Sequence, residues 1–265
     1  MLTSPTLNVI VKAVHKAARG VVRDFGEVEK LQVSKKSAAN FVTNADLRTE
    51  KILVEELQKA RPRWCFLTEE SGVIKGEDPL NRFVIDPIDG TTNFIHAIPY
   101  ISISVAHQRK NSKGEWETQV GVVYDPIHDE LFAAERNNGA FMKNMRLRVS
   151  QRAEDLLLST SSPRKFRDGN IRLHMFQKMI EHGAIVRCSG SAALDLAYVA
   201  AGRPDGTWYH RLNAWDMAAG ALIVREAGGS VSAIEGGPES NDKGSIIAAN
   251  DKVFEQLRGL LKEAA

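Results

Sequence analysis

Near Phe83 the apolar residues of this chain stop recurring at helical spacing and begin to recur at strand spacing. Apolar residues three and four apart bury one stripe of a helix, whereas alternation buries one face of a sheet. Upstream, Leu7, Ile10, Val11, Val14, Ala18, Val21 and Val22 follow Ser4-Pro5, an N-cap and a first-turn proline, and predict an amphipathic opening helix. A second helix is predicted from the capping-box pair Thr43 and Asp46 through Ile52, Leu53 and Leu57 to about Arg61-Pro62. Downstream, Phe83-Val84-Ile85, Ile101-Ser102-Ile103-Ser104-Val105, Val120 to Tyr124 and Leu131-Phe132-Ala133 predict short strands, with a hairpin turn at Asp125-Pro126-Ile127-His128-Asp129. Beyond Val149, helices (Ser191 to Ala201, Ala214 to Glu226, Asp251 to Lys262) alternate with strands (Thr207 to Tyr209, Val231 to Ile234, Ser245 to Ala249). The polar stretch from Ser159 to Asn170 reads as a surface loop. The fold class is α/β, with two halves sharing one interface: an α+β half over 1–145 and an α/β half over 146–265.

With 265 residues, 43% of them hydrophobic, the chain can bury a sizeable core. Its 35 Lys and Arg nearly balance 33 Asp and Glu, which argues against nucleic-acid binding by bulk charge. A local basic patch would be needed; Arg146, Arg148, Arg152 and Arg164-Lys165-Phe166-Arg167 are the residues that could serve a regulatory protein partner, although in a nearly neutral chain an ordinary solvated surface accounts for them better. Cys65 and Cys188 form neither a CxxC pair nor a disulfide framework and read as small buried hydrophobes in a reducing compartment. Lys12, His15, Lys16 and Arg19 interrupt the first apolar residues, and no stretch approaches the roughly 20 apolar residues of a membrane span. The expected location is cytoplasmic, with no membrane partner.

Chemistry concentrates in Asp86-Pro87-Ile88-Asp89-Gly90-Thr91-Thr92-Asn93. Asp86 follows an apolar run and precedes a proline, so it is expected where a strand ends and the chain turns. Two carboxylates flanking a turn can converge on a hard cation, with the Ile88 carbonyl as a further oxygen ligand. Gly90 permits a tight backbone path, and Thr91-Thr92-Asn93 offers hydroxyls and N–H groups to a phosphate where a helix begins. Two further acidic elements, Glu69-Glu70-Ser71 and Trp215-Asp216-Met217-Ala218-Ala219-Gly220, are weak alone. Adjacent glutamates are common on surfaces, and Asp216 suits a helix cap.

Together, in this order and spacing, the three segments resemble the signatures of the inositol monophosphatase family. The stretch from Gly190 to Arg203 is most similar to its bacterial extragenic-suppressor (SuhB-type) members. The resemblance spans nearly the whole chain. It implies a layered αβαβα sandwich of the inositol monophosphatase and fructose-1,6-bisphosphatase type, a homodimer, and lithium-sensitive, magnesium-dependent phosphatase activity with two or three ions per site. Glu69, Asp86, the Ile88 carbonyl and Thr91 would surround one ion; Asp86, Asp89 and Asp216 would hold another. Glu70, Asp46 and, by alignment, Lys36 would support them. Gly90 and Thr91 would contact phosphate, and Asp89, Gly190, Ser191 and Ala192 would border the alcohol.

A phosphate dianion repels hydroxide, so hydrolysis needs charge neutralisation, an activated water and a stabilised leaving group. The expected mechanism is direct in-line attack by a metal-activated water on the Glu69 and Thr91 side, Asp46 assisting, with no phosphoenzyme. Relatives that favour inositol phosphates carry a Glu seven residues before the Asp of the Trp-Asp motif; here Tyr209 stands there, a single hydroxyl without the charge. Inositol 1-phosphate or a similar polyol phosphate is the first expectation; histidinol phosphate, fructose 1,6-bisphosphate, a nucleotide 3'-phosphate and NADP are alternatives. The same resemblance raises a different role, since extragenic-suppressor members are associated with RNA polymerase and ribosomal RNA transcription.

Overall fold

A computed structural model describes residues 4–31, 35–163, 171–239 and 243–265, the side chains of residues 29–31 and 35–43 lying outside the description. Two helices come first, α1 (Pro5–Leu31) and α2 (Lys35–Ala60). The predicted stripe of α1 is buried at Leu7, Ile10, Val14, Ala18 and Val21, while Val22 at its edge is exposed. Helix α2 starts well before the expected cap, so Thr43 and Asp46 lie in its interior. Asp46 is buried there, in line with Glu50, Leu53 and Leu57 at spacings of four, three and four, which places all of them on one helical face.

The chain then builds β1 (Trp64–Thr68), β2 (Gly72–Ile74), β3 (Asp78–Asp89), the short helix α3 (Thr91–Ile95), β4 (Ser102–Lys110), β5 (Trp116–Asp125), β6 (Glu130–Glu135), β7 (Gly139–Met142) and β8 (Met145–Arg146). These strands form one eight-stranded sheet in the order β2-β1-β3-β4-β5-β6-β7-β8. The hairpin expected at Asp125 to Asp129 forms, with Tyr124 opposite Leu131 in antiparallel register.

A second, five-stranded sheet follows, built from β9 (Leu157–Thr160), β10 (Ile185–Arg187), β11 (Gly206–Asn213), β12 (Ser230–Ser232) and β13 (Lys243–Ala249) in the order β10-β9-β11-β13-β12. Its helices are α4 (Ile171–Glu181), α5 (Ala192–Ala200), α6 (Ala214–Glu226) and α7 (Phe254–Glu263). Strand β9 takes Ser159 and Thr160 from the segment expected to be a loop, and residues 164–170 lie outside the described residues.

Side-chain alternation sorts these elements into layers. Phe83 and Ile85 of β3 face α1 and α2, whereas Val84 faces α5 and α6. In β13, Ile246 and Ala248 face that same central helix pair, and Ile247 and Ala249 face α4 and α7. The result is the layered αβαβα sandwich. Alanines such as Ala193, Ala197, Ala218 and Ala219 let the central helices approach the sheets closely. Among the described residues no helix is long and apolar enough to cross a membrane.

Candidate functional site

Asp86 and Asp89 sit in one strand, three residues apart, where regular pleating would send their side chains to opposite faces. A bulge prevents this. Asp86 pairs with Ser104 and Asp89 with Ser102, three steps on β3 against two on β4, so the extra residue returns both carboxylates to one side. The expectation that the strand ends at Asp86 is thereby corrected: β3 runs on to Asp89, and the turn around Pro87, which has no N–H to give the ladder, is a bulge within it.

Asp216 reaches the same point from the first turn of α6, and ligand oxygens of Asp86, Asp89 and Asp216 lie within 4.8 Å of one another. Each outer carboxylate has one oxygen fixed by backbone. Asp89 Oδ2 accepts from Ser191 Oγ at 2.6 Å and from the Ala193 N–H at 2.7 Å, at the start of α5. Asp216 Oδ2 accepts from the Asn213 N–H at 2.8 Å. Asp216 therefore caps its helix with one oxygen and keeps the other for the cluster. Asp86, at the centre, is 2% exposed, and its Oδ1 has no hydrogen-bond partner.

Such crowding costs energy unless a cation or protons neutralise it. Burial, then Asp89, Glu69 and Asp216, push the Asp86 carboxyl far above its ordinary value. Burial and then Asp216 raise Asp89 to about 7, and burial followed by Glu69 raises Asp216 to about 6. An orphaned buried oxygen within an all-carboxylate set is the donor chemistry of a hard divalent cation, so these residues fit a bound metal ion.

Glu69, just beyond β1, keeps an exposed edge, and its carboxyl is raised by partial desolvation and by Glu70, Asp89 and Glu50. Asp46 faces this acidic corner with an unpartnered Oδ1 and is raised to about 8 by burial, then Glu69, Glu70 and Glu50. Glu50 went unnoticed in the sequence: it is 2% exposed and accepts from the Glu70 N–H at 2.9 Å and the Ser71 N–H at 3.0 Å, which fixes the turn carrying Glu69 and Glu70. Its position four residues after Asp46, in line with buried leucines, was the available signal.

On the other side, Gly90 has φ 102, and a Cβ there would lie 3.0 Å from the Tyr100 carbonyl oxygen. Only glycine adopts that conformation at so close an approach without strain. Thr91 then opens α3, its Oγ1 donating to the Ile88 carbonyl at 3.3 Å. Asn93 Nδ2 donates to the carbonyls of Tyr100 and Ser189 at 2.7 and 2.8 Å, clamping this loop to the segment that leads to Gly190. A cavity of about 380 Å³ opens here, its lining including Asp89, Asp216, Gly190, Ala192, Tyr209 and Cys188. Cys188 is exposed, contrary to the expected buried thiol, because it lies on the loop that edges this cavity.

The model of the Inositol monophosphatase family matches residues 2–264 of the chain. The chain belongs to the inositol monophosphatase family. It is 47% identical to the inositol-1-monophosphatase of Mesorhizobium japonicum, over 99% of this chain and 97% of that one. It is 40% identical to the Nus factor SuhB of Escherichia coli K12, over 98% and 96% of the two chains. Among solved structures, the extragenic suppressor protein suhB of Bartonella henselae superposes with a TM-score of 0.86 at 45% identity, covering 99% of this chain and 100% of that one. The chain is accordingly a phosphatase; the family is generally metal-dependent, and the acidic cluster is where this member can bind metal.

Of the residues singled out from the sequence, Glu69, Asp86, Ile88, Asp89, Gly90, Thr91, Gly190, Ser191, Ala192 and Asp216 converge within the inositol monophosphatase fold, with Asp46 and Glu70 behind Glu69. Lys36 lies in the first turn of α2, and its side chain lies outside the described residues. Tyr209 lines the cavity but is 4% exposed, and its hydroxyl donates to Asp195 Oδ2 at 2.5 Å. Asp195 also accepts from the Tyr100 hydroxyl at 2.6 Å, and burial raises it to about 6 despite both bonds. This pair of tyrosines on one buried carboxylate was not legible locally, because its members come from a loop, α5 and β11.

Proposed function

We propose that the chain hydrolyses a small phosphate monoester with magnesium held by Asp86, Asp89 and Asp216. The observation that carries this is the convergence of three carboxylates within 4.8 Å around a buried, unpartnered Asp86 oxygen. Glu69, the Ile88 carbonyl and Thr91 complete a second position beside Asp86, with Asp46 and Glu70 in support, for two or three ions in all. Magnesium bound there supplies neutralisation of the phosphate charge, activation of a water and stabilisation of the departing alkoxide.

The chain's own groups do the rest. Glu69, at the open edge of the cluster, accepts a proton from the attacking water, and Thr91 Oγ1 helps to orient that water. The Gly90 and Thr91 N–H groups hold phosphate oxygens, while Gly190, Ser191, Ala192 and Tyr209 border the alcohol. Asp89, fixed by Ser191 and Ala193, stands between phosphate and alcohol. The halves 1–145 and 146–265 each contribute one wall. We take the substrate to be inositol 1-phosphate or a similar polyol phosphate, in keeping with the names of the inositol-1-monophosphatase relatives. The enzyme is taken to be a lithium-sensitive, cytoplasmic homodimer. Phosphate release across a panel of monoesters, with magnesium and with or without lithium, tests this reading. Release that requires magnesium and falls with lithium is expected; undiminished release in EDTA contradicts it.

A second reading is supported by the Nus factor name of the SuhB relatives: a partner role in transcription. Of the basic residues considered for it, Arg152 is committed within the chain, to Asp205 at 2.7 Å and to the carbonyls of Gly202 and Arg203. Residues 164–167 lie outside the described residues. Co-purification of RNA polymerase with Asp86→Asn as well as with the native chain would favour a role independent of catalysis; loss of co-purification with both would remove it.

A further inference from the structure

Asp195 is a buried carboxylate that the reaction described above does not use. It lies in the first turn of α5, 1% exposed, and is not one of the residues lining the cavity. Its oxygens accept two tyrosine hydroxyls, Oδ1 from Tyr100 at 2.6 Å and Oδ2 from Tyr209 at 2.5 Å. Each hydroxyl has one proton to give, so both are committed to this carboxylate.

Those two bonds join three separate parts of the cavity lining. Tyr100 carries the first: its carbonyl accepts from Asn93 Nδ2 at 2.7 Å, and Thr92 and Asn93 line the cavity. Its ring also stands edge-on to Tyr198 of α5, with centroids 5.6 Å apart. Tyr209 is the second part. Strand β11 bulges directly after it, Tyr209 pairing with Ile246 and Leu212 with Gly244, three steps against two, and within the bulge Arg211 takes φ 78. The ladder is broken on that side, and the bond to Asp195 restrains the Tyr209 ring where backbone register does not. Gly190 and Ala192, at the start of α5, are the third part; the Asp195 N–H donates to the Ser191 carbonyl between them at 3.0 Å. The metal end is held independently, because Asp89 is fixed by Ser191 Oγ and the Ala193 N–H.

We infer that Asp195 is a positioning residue: through Tyr100 and Tyr209 it holds together the three wall segments that receive the alcohol portion of the substrate, touching neither substrate nor metal. This rests on the phosphatase reading above and adds a determinant of alcohol binding to it. The carboxylate acts as a two-point anchor inside the wall and not as a charge facing the substrate.

The test compares Asp195→Asn, Asp195→Leu and Tyr100→Phe with the native chain on inositol 1-phosphate and on methyl phosphate, whose single carbon offers the walls little to hold. Thermal unfolding verifies that each variant is folded. Asp195→Asn keeps both anchor points, accepting from one tyrosine and donating to the other; Asp195→Leu fills the space and keeps neither; Tyr100→Phe severs one. Asp195→Leu is expected to raise KM for inositol 1-phosphate about tenfold with kcat within about twofold, and Tyr100→Phe to raise it about threefold. Asp195→Asn should stay within about twofold of the native chain, and methyl phosphate kinetics should change less than about twofold throughout. If Asp195→Leu does not fold, the contrast between Tyr100→Phe and Asp195→Asn decides. Equal losses on both esters, a loss confined to kcat, no change in any variant, or Asp195→Asn as impaired as Asp195→Leu overturns the inference and leaves the phosphatase reading standing. If the native chain hydrolyses neither ester, that reading fails, and calorimetric binding of inositol 1-phosphate with magnesium decides the inference instead. Binding weakened by Asp195→Leu or Tyr100→Phe and kept by Asp195→Asn supports it; binding that is absent, or the same in all four chains, overturns it.

Discussion

Replacing Asp86 by Asn is expected to stabilise the metal-free protein while abolishing its activity. Two full charges 4.8 Å apart interact by about 3 kcal/mol at an effective dielectric of about 20. The near-isosteric amide removes the central carboxyl, which the metal-free folded chain must otherwise ionise against its neighbours or keep protonated, so relief of about 3 kcal/mol is expected, or roughly 6–10 °C in Tm for a chain of this size. The sign follows from the raised carboxyls. Asp89 at about 7 and Asp216 at about 6 hold their protons more tightly in the folded chain than at the ordinary value of 3.8. Well below the ordinary carboxylate value both states are protonated and no penalty exists; it grows as pH rises through that value, and because Asp86 is raised further than either neighbour its share is still growing at pH 8. Thermal unfolding of native protein and Asp86→Asn in EDTA, from pH 4 to 8, should therefore give curves that converge toward low pH and separate in favour of the variant as pH rises. Added magnesium should reverse the order, because only the native cluster binds it well. A variant less stable than the native chain in EDTA at pH 8 would refute the electrostatic reasoning.

Three further outcomes are expected. Gly90→Ala forces a Cβ to 3.0 Å from the Tyr100 carbonyl at φ 102 and should cost about 1–3 kcal/mol, seen as a lower Tm, with phosphate release reduced. Glu50→Ala strips the acceptor from the Glu70 and Ser71 N–H groups; a loss of about 1–3 kcal/mol in denaturant unfolding is expected, and kcat should fall as Glu69 loses its support. Tyr209→Phe removes a bond that holds the Asp195 carboxyl down, so Asp195 should rise beyond about 6. Its stability deficit should widen between pH 5 and pH 8, because ionised Asp195 is what the missing hydroxyl stabilised.

Much of this site was legible because its chemistry is written in short segments. Asp86 and Asp89 around Pro87, with Asp216 after Trp215, state the candidate carboxylates and their order directly, whereas the layered architecture was available only through the family resemblance that those segments carry. What was not legible depends on register. The bulge that turns Asp86 and Asp89 to one side exists only in pairing with Ser102 and Ser104 on β4. The bulge that sets Arg211 exists only in pairing with Gly244 and Ile246 on β13. The start of α2 was misplaced because Thr43 and Asp46 match a capping box by residue type, whereas Asp46 serves the acidic corner. Strand β10 and helix α4 carry too few buried residues to stand out as periodic patterns.

The central proposal, that one carboxylate cluster both binds magnesium and drives phosphate release, is tested most directly by titrating magnesium into native protein and Asp86→Asn by calorimetry, with phosphate release from inositol 1-phosphate followed on the same samples. Binding and release should appear together in the native protein and vanish together in the variant. Phosphate release by the variant at the native rate, or by native protein in EDTA, would contradict it.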